Sequence, residues 1–443
     1  MSDIAAMLGG TAWTTVFFII GLSIIIFVHE YGHYIVGRWS GIHAEVFSLG
    51  FGPILFSRTD KRGTRWQVAA IPFGGYVKFL GDADASSVRQ VDVAGLSETE
   101  KRHTMAGAPL WARAATVFAG PLANFILAFV LYAGLLLMTG VIREEPTVGK
   151  LHALPLAGDS LHEGDVILGI EGVPTPDWDS FSIAKEASKA KATVEYTVRR
   201  DGSEVSVTGP HPNAVVVGQV ALRSAALDAG IQAGDVILRA GGQDILAFDQ
   251  LVTIVKTSKG APVPLTVWRD GKTFELSLTP RLQIAPENGT GELTERYLIG
   301  LISGLPFEPG TRTPGAWEMV TGAAWTIESM TVSMFSGLNR MIKGMISTCG
   351  FSGAIAIAET MGDAARIGIE SFLTVLAGLS LGIGIMNLFP IPVLDGGHLM
   401  FHAYEAVARR KPSPRVLNIL MAAGFSLVIF LMLFALSRDL VCG

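Results

Sequence analysis

Long apolar runs alternate with polar stretches along this chain. Four runs, at about residues 13–37, 111–139, 371–389 and 416–436, are long enough to cross a bilayer core of roughly 30 Å as helices. Hydrophobic residues make up 49% of the 443 residues and charged residues only 16%, against about 25% charged residues in an average soluble protein. The pattern predicts a multi-pass α-helical membrane protein with four transmembrane helices in contact with the lipid bilayer.

The N-terminal membrane part, 1–142, has a basic segment, 38–110, between its two spans. Ten Lys or Arg lie from Arg38 to Arg113, so the positive-inside rule places this segment on the cytoplasmic side and both chain termini outside. Stretches punctuated by Gly and Pro, at 47–53 and 66–79, predict short strands that form β-hairpin elements. Such strands can pair with an unwound substrate. An ordinary hairpin lid without substrate contact explains the same pattern.

Residues 143–290 are more polar and contain an internal repeat. Gly-Asp-Val-Ile-Leu occurs at 164–168 and again at 234–238, and Arg-Asp-Gly occurs at 200–202 and again at 269–271. The spacing predicts two tandem copies of one small domain, with Arg-Asp-Gly at hairpin turns. The copies cover 143–212 and 213–290.

Part of each copy resembles a PDZ domain. Residues 226–235 read Ala-Leu-Asp-Ala-Gly-Ile-Gln-Ala-Gly-Asp, and residues 157–165 match the family pattern more weakly. The resemblance implies tandem α+β PDZ domains, which bind peptide ends by strand addition. A screen that only excludes large proteins from the membrane site is the alternative role.

A helical region is predicted after the repeats, over 291–370. Within it, apolar residues recur near every 3.6 positions from Trp317 to Met345, and charged residues interrupt them. This spacing favours an amphipathic helix at the membrane surface over a fifth span.

The first span carries a candidate metal site, His29-Glu30-Tyr31-Gly32-His33. At 3.6 residues per turn the two histidines lie on one helix face and can hold one Zn²⁺, with Glu30 next to its water. Ionisable residues inside a span are costly, which favours function over a polar helix end whose histidines only bond to backbone carbonyls.

The C-terminal membrane part, 371–443, carries the candidate third ligand. Residues 387–398 read Asn-Leu-Phe-Pro-Ile-Pro-Val-Leu-Asp-Gly-Gly-His, and the basic loop 409–415 places this end on the cytoplasmic side. A catalytic zinc commonly has three protein ligands, and the carboxylate of Asp395 supplies the third. His398 and His402 are also four residues apart and form a rival pair, although no Glu stands in the base position.

Other features change the interpretation less. The net charge of −5 gives no basic footprint for nucleic acid. Two cysteines, Cys349 and Cys442, are too few for a disulfide framework or a cysteine metal site. Asn124, in the second span, can hydrogen-bond to a neighbouring helix, and a packing role is favoured over chemistry for it.

Together these motifs resemble the site-2 protease family of intramembrane zinc metalloproteases. The resemblance implies Zn²⁺ bound by His29, His33 and Asp395, with Glu30 as the catalytic acid/base. It also implies substrate contacts from Asn387, Gly50, Phe51, Gly52, Gly74, Gly75 and Tyr76. One departure is Ser352-Gly353-Ala354, where the family has proline in place of Ala354.

The expected function is hydrolysis of peptide bonds within or next to the transmembrane helix of single-span proteins that were already trimmed outside the membrane. The resemblance implies substrates of the anti-sigma factor type, and also remnant signal peptides. It implies a bacterial inner-membrane protein with periplasmic PDZ domains and an active site towards the cytoplasm. The alternative is a membrane-anchored PDZ scaffold with a vestigial metal site. A zinc transporter fits less well, because a general base and peptide-binding modules suit hydrolysis better.

Overall fold

The computed structural model describes residues 2–82, 97–155, 161–188, 191–286, 293–345 and 353–442. Its helices are α1 (Ser2–Trp39), α2 (Glu98–Arg102), α3 (Leu110–Thr139), α4 (Trp178–Ala187), α5 (Ala225–Asp228), α6 (Phe248–Ser258), α7 (Ala316–Ile342), α8 (Ala354–Ile367), α9 (Ile369–Asn387), α10 (Asp395–Ala408) and α11 (Pro414–Cys442). Its strands are β1 (Ala44–Thr59), β2 (Arg65–Phe79), β3 (Val141–Ile142), β4 (Val148–Leu151), β5 (Val166–Ile170), β6 (Val173–Pro174), β7 (Thr193–Arg200), β8 (Ser203–Pro210), β9 (Val217–Val220), β10 (Val236–Ala240), β11 (Gln243–Asp244), β12 (Val263–Arg269), β13 (Lys272–Leu278), β14 (Arg281–Pro286), β15 (Leu293–Leu298), β16 (Leu301–Ser303), β17 (Phe307–Pro309) and β18 (Thr311–Arg312).

The chain divides into two compact units. The membrane unit comprises Met1–Leu135, Met319–Asn339 and Thr348–Gly443, and the repeat unit comprises Leu136–Glu318 and Arg340–Ser347. The features predicted at Cys349, at Ser352 and at 157–160 lie outside the described residues.

Among the described residues, four helices are long and apolar enough to cross a membrane, as the hydrophobic pattern predicted. They are Gly10–Trp39 of α1, Leu110–Thr139, Ile369–Asn387 and Pro414–Leu440 of α11. Exposed apolar side chains recur every three or four residues along α1, at Val16, Ile20, Ile24, Phe27 and Tyr31. A helical stripe of this kind suits contact with lipid.

The hairpin of β1 and β2 packs along helix α1. The Phe47 ring packs on Phe27 of α1, and the Phe73 ring lies 6.1 Å from Phe18. The sheet therefore follows α1 from Phe27 to Phe18, within the helix segment that is long and apolar enough to cross a membrane. Apolar side chains of the hairpin are exposed, as in Leu55 and Phe56.

The two strands bend, and their halves pair twice. Ser48 of β1 lies opposite Tyr76 on one side and opposite Gln67 on the other. Gly50, at the bend, has a φ of 90° and an ideal Cβ there would lie 2.8 Å from the Ile71 carbonyl oxygen, so the bend requires glycine. The second half of β2 is thereby left as the edge that faces α1.

Helix α7 differs in part from the predicted surface helix. A Cβ placed on Gly378 of α9 would lie 3.4 Å from the Met330 methyl carbon, and one on Gly382 would lie 3.5 Å from that of Met334. The methyl groups of these two methionines thus pack against two glycines of α9 that lie one turn apart. This part of α7 lies lengthwise against a membrane-spanning helix because the small residues of α9 allow close approach.

The departure at Ala354 is compensated by α11. The Asp439 carboxylate accepts hydrogen bonds from the backbone amides of Gly353, Ile355 and Ala356, at 2.8, 3.0 and 3.2 Å. These amides belong to the otherwise unsatisfied first turn of α8. The turn is therefore formed without the family proline.

In the repeat unit, two four-stranded sheets have the same strand arrangement. Their orders are β6-β5-β7-β8 and β11-β10-β12-β13. Asp201 and Gly202 have φ angles of 49° and 81°, and Asp270 and Gly271 have 48° and 82°. Two successive positive φ angles are typical of a two-residue type I′ hairpin turn, so the Arg-Asp-Gly triplets form the predicted turns.

The copies extend beyond the predicted boundary at 290. Position 290/291 falls between the paired strands β14 and β15, and the predicted helical region of 291–370 becomes helical only at Ala316. Ile299 belongs to the core of the second copy and Phe307 to that of the first. The segment 301–309 returns along both copies as β16 and β17, because the edges of β9 and β4 need partners.

Candidate metal centre

Helix α1 presents His29 and His33 on one face. Their Nε2 atoms lie 3.2 Å apart, and each side chain is 13% exposed. They line a cavity of about 980 Å³ in the membrane unit. The four-residue spacing therefore brings both imidazoles to one wall of a cavity that admits water.

Asp395 reaches the histidines from the first residue of α10. Its Oδ2 lies 3.1 Å from His29 Nε2 and 3.5 Å from His33 Nε2. The adjacent Gly396 has no space for a side chain, because a Cβ there would overlap the carbonyl oxygens of Leu388 and Phe389. The turn after α9 is thus folded tightly against the start of α10, which holds the carboxylate in place.

These three atoms fit a tetrahedral metal ion. Ligand atoms about 2.0–2.1 Å from a tetrahedral zinc lie about 3.3 Å from one another, and the three separations here are 3.1–3.5 Å. Asp395 Oδ2 is buried and has no well-aligned hydrogen-bond donor among the described residues. Within the described part of the chain, His29, His33 and Asp395 form the group of His, Cys, Asp or Glu that can hold a metal ion.

The electrostatics of Asp395 suit an anionic ligand. Burial by itself would raise the pKa of this carboxyl, but the His33 and His29 imidazoles hold it below its usual range. The start of a helix also favours negative charge. Asp395 is therefore a carboxylate at neutral pH.

Glycines let α3 approach α1 at the histidines. A Cβ on Gly32 would overlap the Ala119 carbonyl oxygen, and one on Gly120 would overlap the His33 ring. This proximity allows His33 Nδ1–H to donate to the Thr116 carbonyl oxygen at 2.8 Å. A donating Nδ1 leaves the lone pair of Nε2 free to face the cavity, which is the usual arrangement of a metal-binding histidine.

His29 has its own contact with α3. The Asn124 side-chain nitrogen lies 3.2 Å from His29 Nδ1, and Asn124 is fully buried. The sequence pattern favoured a packing role for Asn124, so this contact with a histidine of the candidate site was missed. The only available signal was an amide side chain within a span.

Glu30 lies beside the edge of β2. It lines the same cavity as Gly75, Tyr76 and Asn387. An ideal Cβ on Gly75 would lie 3.1 Å from Glu30 Cγ and 2.9 Å from Ile26 Cγ2, so only glycine lets the strand pass this close to α1. The predicted residues Gly75, Tyr76 and Asn387 are thus at the site.

The other predicted substrate residues lie at the bends of the hairpin. Gly50, Phe51, Gly52 and Gly74 do not line the cavity. The Phe51 ring stacks on Tyr76 at 5.9 Å, and Gly74 leaves room for it. These four residues shape the strand that reaches the site.

The rival histidines lie in the same cavity, farther along α10. Burial lowers the pKa of His398, and burial with the nearby Arg113 lowers that of His402 to about 4. Both are neutral at pH 7, and neither belongs to the group that can share a metal ion.

An ion pair that the sequence did not suggest joins α3 to α10. Arg113 donates from Nη1 and Nη2 to the two Glu405 oxygens at 2.9 and 2.7 Å, and this pairing lowers the pKa of Glu405. A bidentate pair has a fixed geometry. It holds the helix that begins with Asp395 against the helix that contacts both histidines.

Comparison with known proteins identifies the family of this chain. The model of peptidase family M50 matches residues 17–431. The chain belongs to peptidase family M50. The resemblance to site-2 proteases is thereby confirmed, and the chain is a metalloendopeptidase.

Relatives in family M50 match nearly the whole chain. The regulator of sigma-E protease of Salmonella typhimurium is 34% identical over 457 residues, which cover 96% of this chain and 98% of the relative. That of Escherichia coli is 33% identical over 463 residues, with the same coverage. A protein of Agrobacterium fabrum whose name contains the words zinc metalloprotease is 32% identical over 446 residues, 99% of each chain.

Proposed function

We propose that this M50 peptidase is a zinc enzyme in which His29, His33 and Asp395 hold the metal and Glu30 is the catalytic acid/base. The observation that carries the proposal is the triangle of two Nε2 atoms and one Oδ2 atom with sides of 3.1–3.5 Å. Bound zinc acts as a Lewis acid and makes water acidic enough to react near neutral pH. Oxygen and nitrogen ligands together with an open cavity suit this metal.

Glu30 has the proton-transfer role in the hydrolysis. It takes a proton from the attacking water, and the oxygen of that water forms a bond to the carbonyl carbon of the scissile peptide. Glu30 then delivers the proton to the amide nitrogen as the C–N bond breaks. The products are a carboxylic acid and an amine, which become a carboxylate and an ammonium when the acid proton passes to the amine, so atoms and charges balance. The cavity of about 980 Å³ beside Glu30 has room for this water.

The substrate is held as an extended strand. A transmembrane helix shields its own amides by internal hydrogen bonds, so it unwinds before cleavage. The edge of β2 at Gly75 and Tyr76 offers backbone groups for strand addition beside Glu30. Asn387, which lines the same cavity, positions the substrate carbonyl. Gly50, Phe51, Gly52 and Gly74 maintain the shape of this edge.

The substrates are single-span membrane proteins of the anti-sigma factor type that were already trimmed outside the membrane. The names of the Salmonella and Escherichia relatives support this class. The chain lies in the bacterial inner membrane, with the active site towards the cytoplasm, because the basic segments 58–65 and 409–415 flank the site-bearing ends of the spans. The two repeats are periplasmic PDZ domains that bind peptide ends.

The test is cleavage of a reporter that carries a pre-trimmed single-span helix, using the purified full chain. Wild type is compared with Glu30→Gln and with a control, Glu370→Gln, which changes an acidic residue at the start of α9 outside the cavity. Zinc content is measured on all three. We expect at least a 100-fold lower rate for Glu30→Gln, with zinc retained, and no change for Glu370→Gln. Wild-type cleavage rates in zinc-loaded Glu30→Gln would contradict the proposed role.

A further inference from the structure

The Asn124 amide is the least explained polar group near the metal centre. It is fully buried in α3, and its Oδ1 has no hydrogen-bond partner among the described residues. Its nitrogen lies 3.2 Å from His29 Nδ1. A buried amide oxygen without a donor is destabilising, so packing alone does not account for asparagine here.

Each of the two histidines needs a hydrogen-bond acceptor for its Nδ1–H. A histidine that gives its Nε2 lone pair to a metal carries its proton on Nδ1, and that N–H needs an acceptor. For His33 the acceptor is the Thr116 carbonyl oxygen at 2.8 Å. For His29 the group in contact with Nδ1 is the side chain of Asn124.

Only one end of the Asn124 amide can fill that role. The nitrogen is a donor and cannot accept from Nδ1–H, whereas Oδ1 can. A half-turn about Cβ–Cγ exchanges the two ends without moving any other atom of the residue. The exchange supplies the acceptor that His29 needs and gives the unpartnered oxygen a donor.

The surroundings hold Asn124 at this position. The Ser380 hydroxyl of α9 donates to the Asn124 backbone carbonyl at 2.9 Å. Gly384, one turn farther, lies so close that its ideal Cβ would be 3.3 Å from Asn124 Cβ. Helix α9 thus fixes the backbone of Asn124, and in the described part of the chain the side-chain amide contacts His29.

We infer that Asn124 is a positioning residue for the metal: its Oδ1 accepts the hydrogen bond of His29 Nδ1–H and thereby directs His29 Nε2 to the metal. The inference rests on the proposed metal centre. It assigns to this asparagine the role that a backbone carbonyl has for His33. Loss of such a partner typically weakens metal binding 10- to 100-fold.

Substitutions distinguish an acceptor from a donor or a space-filling group. Asn124→Asp keeps an acceptor of the same shape and removes the donor, whereas Asn124→Leu removes both. The control, Thr374→Val, removes a polar group from α9 whose hydroxyl donates only to Glu370 of its own helix. The full-length variants are purified in detergent, and their zinc affinities are measured by competition with a chelator. The visible spectra of their Co²⁺ forms report ligand geometry separately from activity.

We expect zinc affinity 10- to 100-fold lower for Asn124→Leu with an altered Co²⁺ spectrum, and near-wild-type values for Asn124→Asp and Thr374→Val. Equal losses in Asn124→Asp and Asn124→Leu, or no loss in Asn124→Leu, would overturn the inference. Failure of wild type to bind zinc would instead overturn the proposed function. If the variants do not fold, ¹⁵N-histidine NMR of zinc-loaded wild type decides: a protonated Nδ1 on His29 supports the inference, and an unprotonated one refutes it.

Discussion

At the scale of single residues, the proposed metal centre depends on small residues as much as on its proposed ligands. Gly32 and Gly120 bring the backbones of α1 and α3 together, and this proximity places the Thr116 carbonyl oxygen at His33. Gly75 does the same for β2 and Glu30. Each of these glycines is required because another backbone or ring occupies the space of its missing side chain.

Gly120→Ala is expected to weaken zinc binding at least tenfold. The new methyl group would displace the His33 ring, so that Nε2 would no longer point to the metal and Nδ1–H would no longer point to the Thr116 carbonyl oxygen. The matched control is Gly134→Ala, in the same helix, where nothing lies within 4 Å of the added Cβ. Zinc content and chelator competition on purified protein measure both. Unchanged affinity in Gly120→Ala would mean that α3 does not approach His33 this closely.

At the scale of elements, each repeat copy joins its two sequence motifs by a buried ion pair. Asp165 accepts from Arg200 Nε and Nη2 at 2.8 and 2.7 Å, and Asp235 accepts from Arg269 in the same way. Both aspartates are only 1% exposed. The Asp of Gly-Asp-Val-Ile-Leu and the Arg of Arg-Asp-Gly thus recur together because one side chain binds the other.

Asp165→Asn is expected to destabilise the first copy by about 3 kcal/mol at pH 7, because it leaves a half-buried guanidinium without its charge partner. Burial would raise the pKa of Asp165, but Arg200 and the His162 amide lower it. A lowered pKa in the folded state stabilises the fold above the unfolded value of about 3.9, and this contribution is lost as the pH falls through the folded value. The difference between wild type and variant should therefore shrink below about pH 4.

The measurement is denaturant-induced unfolding of the full chain, in which limited proteolysis of residues 143–212 reports how much of the first copy is unfolded. Arg199→Gln is the control, because Arg199 and its partner Glu145 are 40% and 56% exposed and an exposed pair contributes little. A pH-independent difference, or an equal loss in Arg199→Gln, would argue against a stabilising role of the Asp165 charge.

At the scale of the whole molecule, the residues of the proposed metal site all lie within one unit. His29, His33, Asp395 and their neighbours on α3 all belong to the membrane unit. The strands β3 and β18 bring the two connections of the repeat unit together, with Ile142 opposite Thr311. The repeats are thus inserted between two adjacent points of the chain.

A chain in which an Asn-Gly turn replaces 143–310 is expected to bind zinc as tightly as wild type, because Ile142 and Thr311 are already paired and a two-residue turn can join them. The measurement is zinc stoichiometry and affinity of the purified shortened protein. The same deletion with His33→Ala serves as control and should lose zinc. Loss of zinc from the shortened chain with both histidines intact would show that the repeat unit is needed to form the metal site.

Prediction from sequence succeeded where a local pattern has one physical meaning. Continuous apolar runs predicted the four spans, and exact repetition predicted the two copies and their hairpin turns. It was less successful where distant segments meet. The boundary at 290 was misplaced because the core residues Ile299 and Phe307 carry no repeat signal, and the contacts of the hairpin with Phe18 and Phe27 of α1 were not predicted because they join segments far apart in sequence.

The sequence by itself determined the type of chemistry: a helical turn sets the spacing of His29 and His33, and a proline-broken segment after a span marks Asp395 as their partner. Only the tertiary structure decided which atoms meet. Asn124, Thr116 and the edge of β2 reach the site through contacts between helices that are remote in sequence, and such contacts follow from packing rather than from local periodicity. The same is true of Arg113 and Glu405, which are 292 positions apart along the chain.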